Sequence, residues 1–212
     1  MAAPFRLRAG DPAPVQQSGT TCGSACLIVA RMLLDPAFAD WIRLGAGRGW
    51  DPGGDRPGET ETERFAAYER VVVARTNGLV GAGGRLQPPW PRALGTPPWG
   101  ARRELELGGA RPGARYAVGW CRLGGRATLE AAYAALLRRA RPGRPALLYV
   151  GNRWLPRHVV LVVPAAGREG LEVYEPSAGQ VVDMPRDAFV SRRLGVGGWD
   201  VPWAAVWDLS RA

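Results

Sequence analysis

The chain has 212 residues, of which 46% are hydrophobic, so it is long enough to bury one core and we expect a single domain over residues 1–212. Its formal net charge of +9 comes from arginines scattered along the chain, with no lysine, and the densest group, at residues 138–144, falls at a predicted helix end where cations are favourable. This pattern argues against a nucleic-acid-binding protein, although a basic module whose binding weakens steeply with salt stays open as an alternative.

The amino terminus and the cysteines narrow the class of protein further. Residues 1–10 lack the apolar run and cleavage site of a signal peptide, and no stretch approaches the roughly 18–20 apolar residues of a membrane span. We therefore expect a soluble, cytoplasmic protein. Three cysteines argue against a disulfide framework, and neither a C-x-x-C pair nor a second histidine is present for a zinc site, so we expect no metal and no cofactor. The sequence does not indicate an oligomeric state.

The first informative pattern is residues 16–27, which lead into an apolar helix that ends near Leu34. Two threonines precede Cys22, a pattern that predicts a capped helix with the thiol in its first turn. The free N–H groups and the positive end of the helix dipole there favour a thiolate, which is the nucleophilic form of cysteine. The alternative for Cys22 is inert packing in a core.

Two neighbours of Cys22 favour the catalytic interpretation. Gly23 is expected to leave room for a substrate carbonyl to approach the backbone, where the N–H of Cys22 points at the developing oxyanion. Gln16 is expected to supply a second donor through its side-chain amide, and Gln17 is an alternative for that role.

These residues resemble the papain-like cysteine peptidases. Gln16, five further residues and then Cys22-Gly23 at the start of a helix match the pattern of that superfamily, and residues 22–27 are most similar to the bacteriocin-processing peptidases that cleave after a double glycine. The resemblance implies Cys22 as the nucleophile, Gln16 as the oxyanion donor and a helix packed against an antiparallel sheet. It also implies a peptide or protein substrate.

The middle of the chain predicts helices and one unusual segment. Residues 45–58 read as a loop, and a helix is expected at 60–77, with Thr60 or Thr62 as its cap and Asn77-Gly78 as its end. The segment at about 80–114 is rich in Gly, Pro and Trp. It predicts either an ordered insertion that forms one wall of a substrate groove or a mobile surface loop.

The carboxyl-terminal half predicts a helix at 128–139 and then a series of strands. These strands are expected at 146–150, 158–163, 171–174, 180–184 and 204–207, preceded by a short strand-like segment that ends in Cys121. Helices followed by a strand meander predict an α+β fold. Cys26 and Cys121 are expected to be buried packing residues, with a redox partnership between Cys26 and Cys22 as the alternative.

His158 is the one histidine of the chain and therefore the one imidazole that can act as the base for a thiol. It begins a β-branched run bounded by prolines, which predicts a buried strand with the imidazole at its end. Its separation from Cys22 falls within the roughly 130–150 residues typical of papain-like enzymes. The alternative is a histidine that is buried in the core with its hydrogen bonds made and has no catalytic role.

Glu175 is the candidate for orienting the imidazole. It ends the strand after that of His158, and two antiparallel strands in register bring the two side chains together. The bacteriocin-processing family has Asp-Pro where this chain has Glu175-Pro176, so the resemblance assigns the orienting role to Glu175 with a longer side chain. The carboxylate is expected to accept from the ring Nδ1–H.

The sequence thus predicts a thiol hydrolase that cleaves a peptide or amide bond through Cys22, His158 and Glu175. An acyltransferase that uses the same thioester is one alternative, and a non-catalytic binding protein that keeps the fold is the other.

Overall fold

The computed structural model describes residues 5–10, 12–46, 58, 60–165 and 170–209. Most of the loop predicted at 45–58 therefore lies outside the described residues. The described helices are α1 (Cys22–Leu34), α2 (Pro36–Leu44), α3 (Glu61–Asn77), α4 (Pro98–Glu104), α5 (Arg126–Arg139) and α6 (Arg186–Val190). The described strands are β1 (Tyr116–Trp120), β2 (Ala146–Gly151), β3 (Pro156–Pro164), β4 (Leu171–Glu175), β5 (Gln180–Asp183) and β6 (Val201–Asp208).

The strands form one antiparallel sheet in the order β1-β6-β2-β3-β4-β5. The expected meander holds from β2 to β5. It is wrong for β6, which returns to lie between β1 and β2 after α6 and the turns that follow it. The predicted α+β class is confirmed, with α1 packed against β3 of the sheet.

The sheet buries both of its faces, and β3 shows how. Its residues Val159, Leu161 and Val163 pack with α1, α2 and α3, whereas Val160 and Val162 pack with α5 and α6 on the opposite face. Because successive side chains of a strand point to opposite faces, a run of apolar residues is what a strand buried on both sides requires.

Local signals account for the ends of α2 and α3. The side chain of Thr60 accepts from the N–H of Glu63 while the Glu63 carboxylate accepts from the N–H of Thr60, so the predicted cap is a reciprocal capping box. The predicted stop at Gly78 is also confirmed. Asp35 ends α1 as expected, but it then caps α2, a helix that the sequence analysis missed although Pro36 stands at its first turn.

The segment at 80–114 makes fixed contacts with α3. The buried amide of Gln87 donates to the carbonyls of Arg75, Thr76 and Gly78, which are left without helical partners at the end of α3. Within the segment, the rings of Trp90 and Trp99 pack edge to face with centroids 5.0 Å apart.

No single helix in the described part of the chain is long and apolar enough to cross a membrane. Taken together, α1 and α2 have the length and the apolar composition of a membrane-spanning helix, but the two helices are bent by 119° relative to each other.

Candidate active site

Cys22 is the first residue of α1 and is 3% exposed. The expected threonine cap is wrong. The hydroxyl of Thr21 donates to the carbonyl of Ser18 and accepts from its N–H, and Thr21 makes no side-chain bond to the helix. Because no side chain caps the first turn, its N–H groups are available to an oxygen that approaches the Cys22 sulfur.

The space beside Gly23 is not left for a substrate, which corrects the sequence-based expectation. A Cβ at Gly23 would lie 2.6 Å from Cβ of Thr96. Thr96 belongs to the segment at 80–114, and its hydroxyl is 3.4 Å from that of Ser24. Gly23 therefore permits close packing of that segment on the start of α1.

The structure brings His158 and Glu175 together with Cys22. Nε2 of His158 lies 2.6 Å from Oε1 of Glu175, and the Cys22 thiol is close enough to the imidazole to raise its pKa. The expectation that Glu175 binds Nδ1 is wrong, because Nε2 faces the carboxylate. A carboxylate can only accept, so Nε2–H is the donor and Nδ1 is the ring nitrogen left for the thiol.

The pKa values of the pair favour an imidazolium beside a carboxylate. Burial lowers the pKa of His158, but the hydrogen bonds and negative charges of Cys22 and Glu175 outweigh it and raise the pKa to about 9. Burial raises the pKa of Glu175, but the hydrogen bonds from His158 and Ser177 outweigh it and lower the pKa to about 2. Both groups are therefore charged near neutral pH.

The turn after β4 holds the Glu175 carboxylate in place. The Ser177 hydroxyl lies 2.7 Å from Oε1 and 2.8 Å from Oε2, and the N–H groups of Ser177 and Ala178 donate to the same two oxygens. Each oxygen thus accepts from the turn, and Oε1 also accepts from the imidazole. The longer side chain of glutamate is accommodated by this cradle.

Gly197 packs directly against the imidazole ring of His158. A Cβ at this position would lie 2.7 Å from Cδ2 and 2.9 Å from Nε2 of His158, and the backbone has a φ of +59°. A side chain there would displace the ring as well as strain the backbone. The sequence analysis missed Gly197, since nothing local to residues 195–198 points to His158.

The amide of Gln16 is engaged elsewhere. Its Nε2 donates to the carbonyl of Ser18 at 2.8 Å, and its N–H donates to the carbonyl of Pro176, beside Glu175. The side chain of Gln17 is exposed and donates to Val15. Neither Gln16 nor Gln17 is among the described residues that line the cleft at Cys22. The N–H groups at the start of α1, where Cys22 lines the cleft, therefore remain as the candidate donors for an oxyanion.

A cleft of about 320 Å³ opens beside Cys22 and His158. One wall comes from the segment at 80–114 and includes Trp90, Leu94 and Trp99, whereas the facing wall includes Trp120, Tyr149 and Trp203. The sequence analysis did not assign Tyr149 to the site. The feature of the sequence that could have indicated Tyr149 is its polar hydroxyl within an otherwise apolar strand.

Cys26 and Cys121 are buried free thiols, as expected. The Cys26 thiol donates to the carbonyl of Val159, and burial raises its pKa well above the ordinary value. Burial also raises the pKa of Cys121 to about 11. The nearby charge of Arg192 lowers the pKa of Cys121, but burial outweighs it.

Comparison with protein-family models and with curated proteins gives no match. Among solved structures, the fold is similar to that of the Pseudomonas avirulence protein AvrPphB, with a TM-score of 0.49 over 98% of both chains and 14% sequence identity. That likeness assigns no role to any residue. The link to bacteriocin-processing peptidases stays a prediction.

Proposed function

We propose that the protein is a papain-like thiol hydrolase that cleaves a peptide or amide bond. The observation that carries this proposal is the chain of contacts from Cys22 at the start of a helix, through the imidazole of His158, to the carboxylate of Glu175. A nucleophile, a base in contact with it and a group that orients the base are the three parts that this chemistry needs.

In the proposed reaction, the Cys22 thiolate attacks the carbonyl carbon and a C–S bond forms. The oxyanion is received by the N–H groups of the first turn of α1. The C–N bond then breaks as the His158 imidazolium gives its proton to the leaving amine, which leaves an acyl-thioester. Water gives a proton to His158, attacks the thioester and releases the acid, so the thiolate and imidazolium are restored. Glu175 keeps Nε2–H in place throughout.

Alkylation of the thiols tests the proposal without a known substrate. Iodoacetamide labelling is followed at each cysteine by peptide mass spectrometry from about pH 4 to about pH 10. We expect Cys22 to label fast at low pH, and we expect His158→Ala to abolish that reactivity. Cys121→Ala is the control, since it removes a thiol outside the site. A Cys22 that titrates like a free thiol in both proteins would favour the binding-protein alternative.

Turnover is then measured on a pool of peptides whose new termini are identified by mass spectrometry. Cys22→Ala should give no cleavage while its unfolding curve matches that of the parent. An amino-acid amide added as an acceptor separates the two outcomes of the thioester, because a hydrolase still gives mainly acid whereas an acyltransferase gives mainly the new amide. Cleavage by the Cys22→Ala protein would end the proposal.

A further inference from the structure

Glu69 on α3 is a buried carboxylate that the proposed reaction does not use. It is 1% exposed, and its Oε2 accepts from the N–H of Gln17 at 3.1 Å. The other oxygen, Oε1, has no hydrogen-bond partner in the described part of the chain. Burying a carboxylate with an unpaired oxygen costs stability. Groups held in such environments cluster at functional sites, so the contact with Gln17 is a candidate for a role in the reaction.

The segment that Glu69 contacts is tied to the part of the site that contains Glu175. Three hydrogen bonds join residues 13–16 to β4 and the turn after it, from the N–H of Ala13 to the carbonyl of Gly179 at 3.0 Å, from the N–H of Gln16 to the carbonyl of Pro176 at 2.8 Å and from the hydroxyl of Tyr174 to the carbonyl of Pro14. The same turn holds the Glu175 carboxylate. A displacement of this segment would therefore disturb the group that orients the imidazole.

The segment also continues directly into the helix of the nucleophile. Ser18 and Thr21 close a turn, in which the N–H of Thr21 donates to the Ser18 carbonyl at 3.2 Å and the N–H of Ser18 donates to the Thr21 hydroxyl at 3.1 Å. The carbonyl of Thr21 then accepts from the N–H of Ala25 at 2.8 Å, in the first turn of α1. Because this turn is closed by its own hydrogen bonds, a movement of Gln17 would be passed on to Cys22.

The contact between Glu69 and Gln17 depends on the charge of the carboxylate. An ionised acceptor binds a backbone N–H about twice as strongly as a neutral one. Burial raises the pKa of Glu69 from 4.5 to about 7 and outweighs the N–H of Gln17, the nearby hydroxyl of Thr21 and the charge of Arg70, which lower it. The carboxylate therefore gains its charge near neutral pH, and the contact becomes stronger as it does so.

The other titratable groups that interact with Glu69 keep their charge in this range. They are Cys26 on α1 and Tyr174 on β4, together with Arg70 on α3 itself. Burial raises the pKa values of Cys26 and Tyr174 well above their ordinary values, so both are neutral near pH 7. A change in this region near pH 7 can thus be assigned to Glu69.

We propose that Glu69 is a positioning residue, whose carboxylate holds Gln17 and thereby fixes Cys22 relative to Glu175. This inference rests on the proposed function, because it concerns the alignment of the same reaction centre. It gives Glu69 no contact with the substrate. The alignment should improve as the pH rises through the pKa of Glu69.

Hydrogen–deuterium exchange of the full chain tests the contact without any reaction. Glu69→Gln keeps an acceptor of the same shape but loses the charge, whereas Glu69→Leu loses the acceptor as well. Relative to the intrinsic rates at about pH 8, the amides of residues 13–21 should exchange several-fold faster in Glu69→Gln and at least about 10-fold faster in Glu69→Leu. At about pH 5.5 the parent and Glu69→Gln should agree, since Glu69 is then neutral. Unchanged exchange in both variants would overturn the proposal.

Iodoacetamide labelling of Cys22 tests whether the contact serves the reaction centre. At about pH 8 the parent should label several-fold faster than Glu69→Gln, and the ratio of the two rates should fall to about 1 at about pH 5.5. A merely structural role predicts a ratio that does not change with pH. A direct effect of the negative charge on the thiolate predicts faster labelling of Glu69→Gln at the higher pH. Either of these results would overturn the proposal.

Glu104→Gln is the matched control for loss of a buried charge. Glu104 is 7% exposed, burial raises its pKa, and its partner is Arg75 rather than the segment at 13–21. This variant should leave the exchange of residues 13–21 unchanged and should keep the same ratio of labelling rates at both pH values. A change in that ratio as large as the one in Glu69→Gln would overturn the assignment to Glu69.

Tyr174→Phe separates the position of the segment from the charge of Glu69. It removes the bond to Pro14 and alters no charge, so it should slow the labelling of Cys22 by a similar factor at both pH values. Tyr133→Phe is its control, because it loses an equivalent bond to the carbonyl of Met184. Equal slowing by the two phenylalanine variants would show that the segment has no special role and would overturn the proposal.

The exchange measurement needs no reactive thiol, so the two proposals can fail separately. An unreactive Cys22 in the parent, together with faster exchange of residues 13–21 in the Glu69 variants, would refute the proposed function and keep Glu69 as the residue that holds this segment. A reactive Cys22 that is indifferent to Glu69 would refute this inference and keep the proposed function.

Discussion

Replacing Glu175 with glutamine should lower the pKa of His158, and this is the sharpest test of the site. Glutamine keeps an oxygen that can accept from Nε2–H, but it removes the negative charge that lies 2.6 Å from that nitrogen. The pKa of His158 is about 9 because its contacts with Cys22 and Glu175 outweigh burial. Loss of one of these charges must therefore favour the neutral imidazole.

The magnitude follows from the type of contact. A hydrogen bond to a charged group contributes about 1.5–3 kcal/mol, and a pKa changes by one for each ~1.4 kcal/mol. We therefore expect Glu175→Gln to lower the pKa of His158 by roughly 1 to 2. The imidazolium form then persists over a narrower range of pH, and the basic limb of the activity profile should move down by a similar amount.

The assay uses the fact that the chain has one histidine. The C2 proton of His158 therefore gives a single resonance that can be followed by NMR as the pH changes. Both proteins also carry Cys22→Ala, so that the thiol does not titrate together with the imidazole. In this background the starting pKa is lower than with Cys22 present, but the difference between the two proteins measures Glu175 alone.

Ser177→Ala is the matched control. It removes the hydroxyl that contacts both oxygens of Glu175 but retains the carboxylate charge and its contact with His158. Its effect on the pKa of His158 should be clearly smaller than that of Glu175→Gln. If the glutamine variant leaves the pKa unchanged, or if both variants change it equally, the assignment of Glu175 as the partner of His158 is refuted.

Three further predictions concern residues around the site. Gly197→Ala should reduce low-pH labelling of Cys22 at least 10-fold, because the added Cβ displaces the imidazole. Gly198→Ala should not, since Gly198 also has a positive φ but no atom lies within 4 Å of its Cβ position. Equal effects of the two substitutions would indicate backbone strain alone. Cys26 and Cys121 should stay unlabelled up to about pH 8 because burial raises their pKa values, and fast labelling of either would contradict their burial. Glu69→Gln should raise the free energy of unfolding above pH 7 by up to about 3 kcal/mol and leave it unchanged near pH 4. The reason is that burial raises the pKa of Glu69 from 4.5 to about 7, so the folded protein loses stability as the pH rises between these values. Urea unfolding of both proteins near pH 4 and above pH 7 measures the change in the free energy of unfolding. An equal change at both pH values would contradict the raised pKa of Glu69.

The parts of the site that were predictable from sequence depend on local patterns. Cys22 could be placed at a helix start because the apolar run after it has helical character, and Glu175 could be placed near His158 because adjacent antiparallel strands pair in a predictable register. The observed pairing of Leu161 with Tyr174 is of that kind. Each of these inferences needs only residues that are near in sequence or on neighbouring strands.

The sequence by itself thus determined the α+β class, the burial of β3 on both faces and which side chains could meet at a catalytic centre. The tertiary structure alone decided that Thr96 fills the space beside Gly23, that Nε2 rather than Nδ1 faces Glu175, and that Tyr149 and Trp90 line the cleft. These facts depend on contacts between segments far apart in the chain. Helical and strand periodicities record which face of an element is buried, but they do not record which distant side chain covers it.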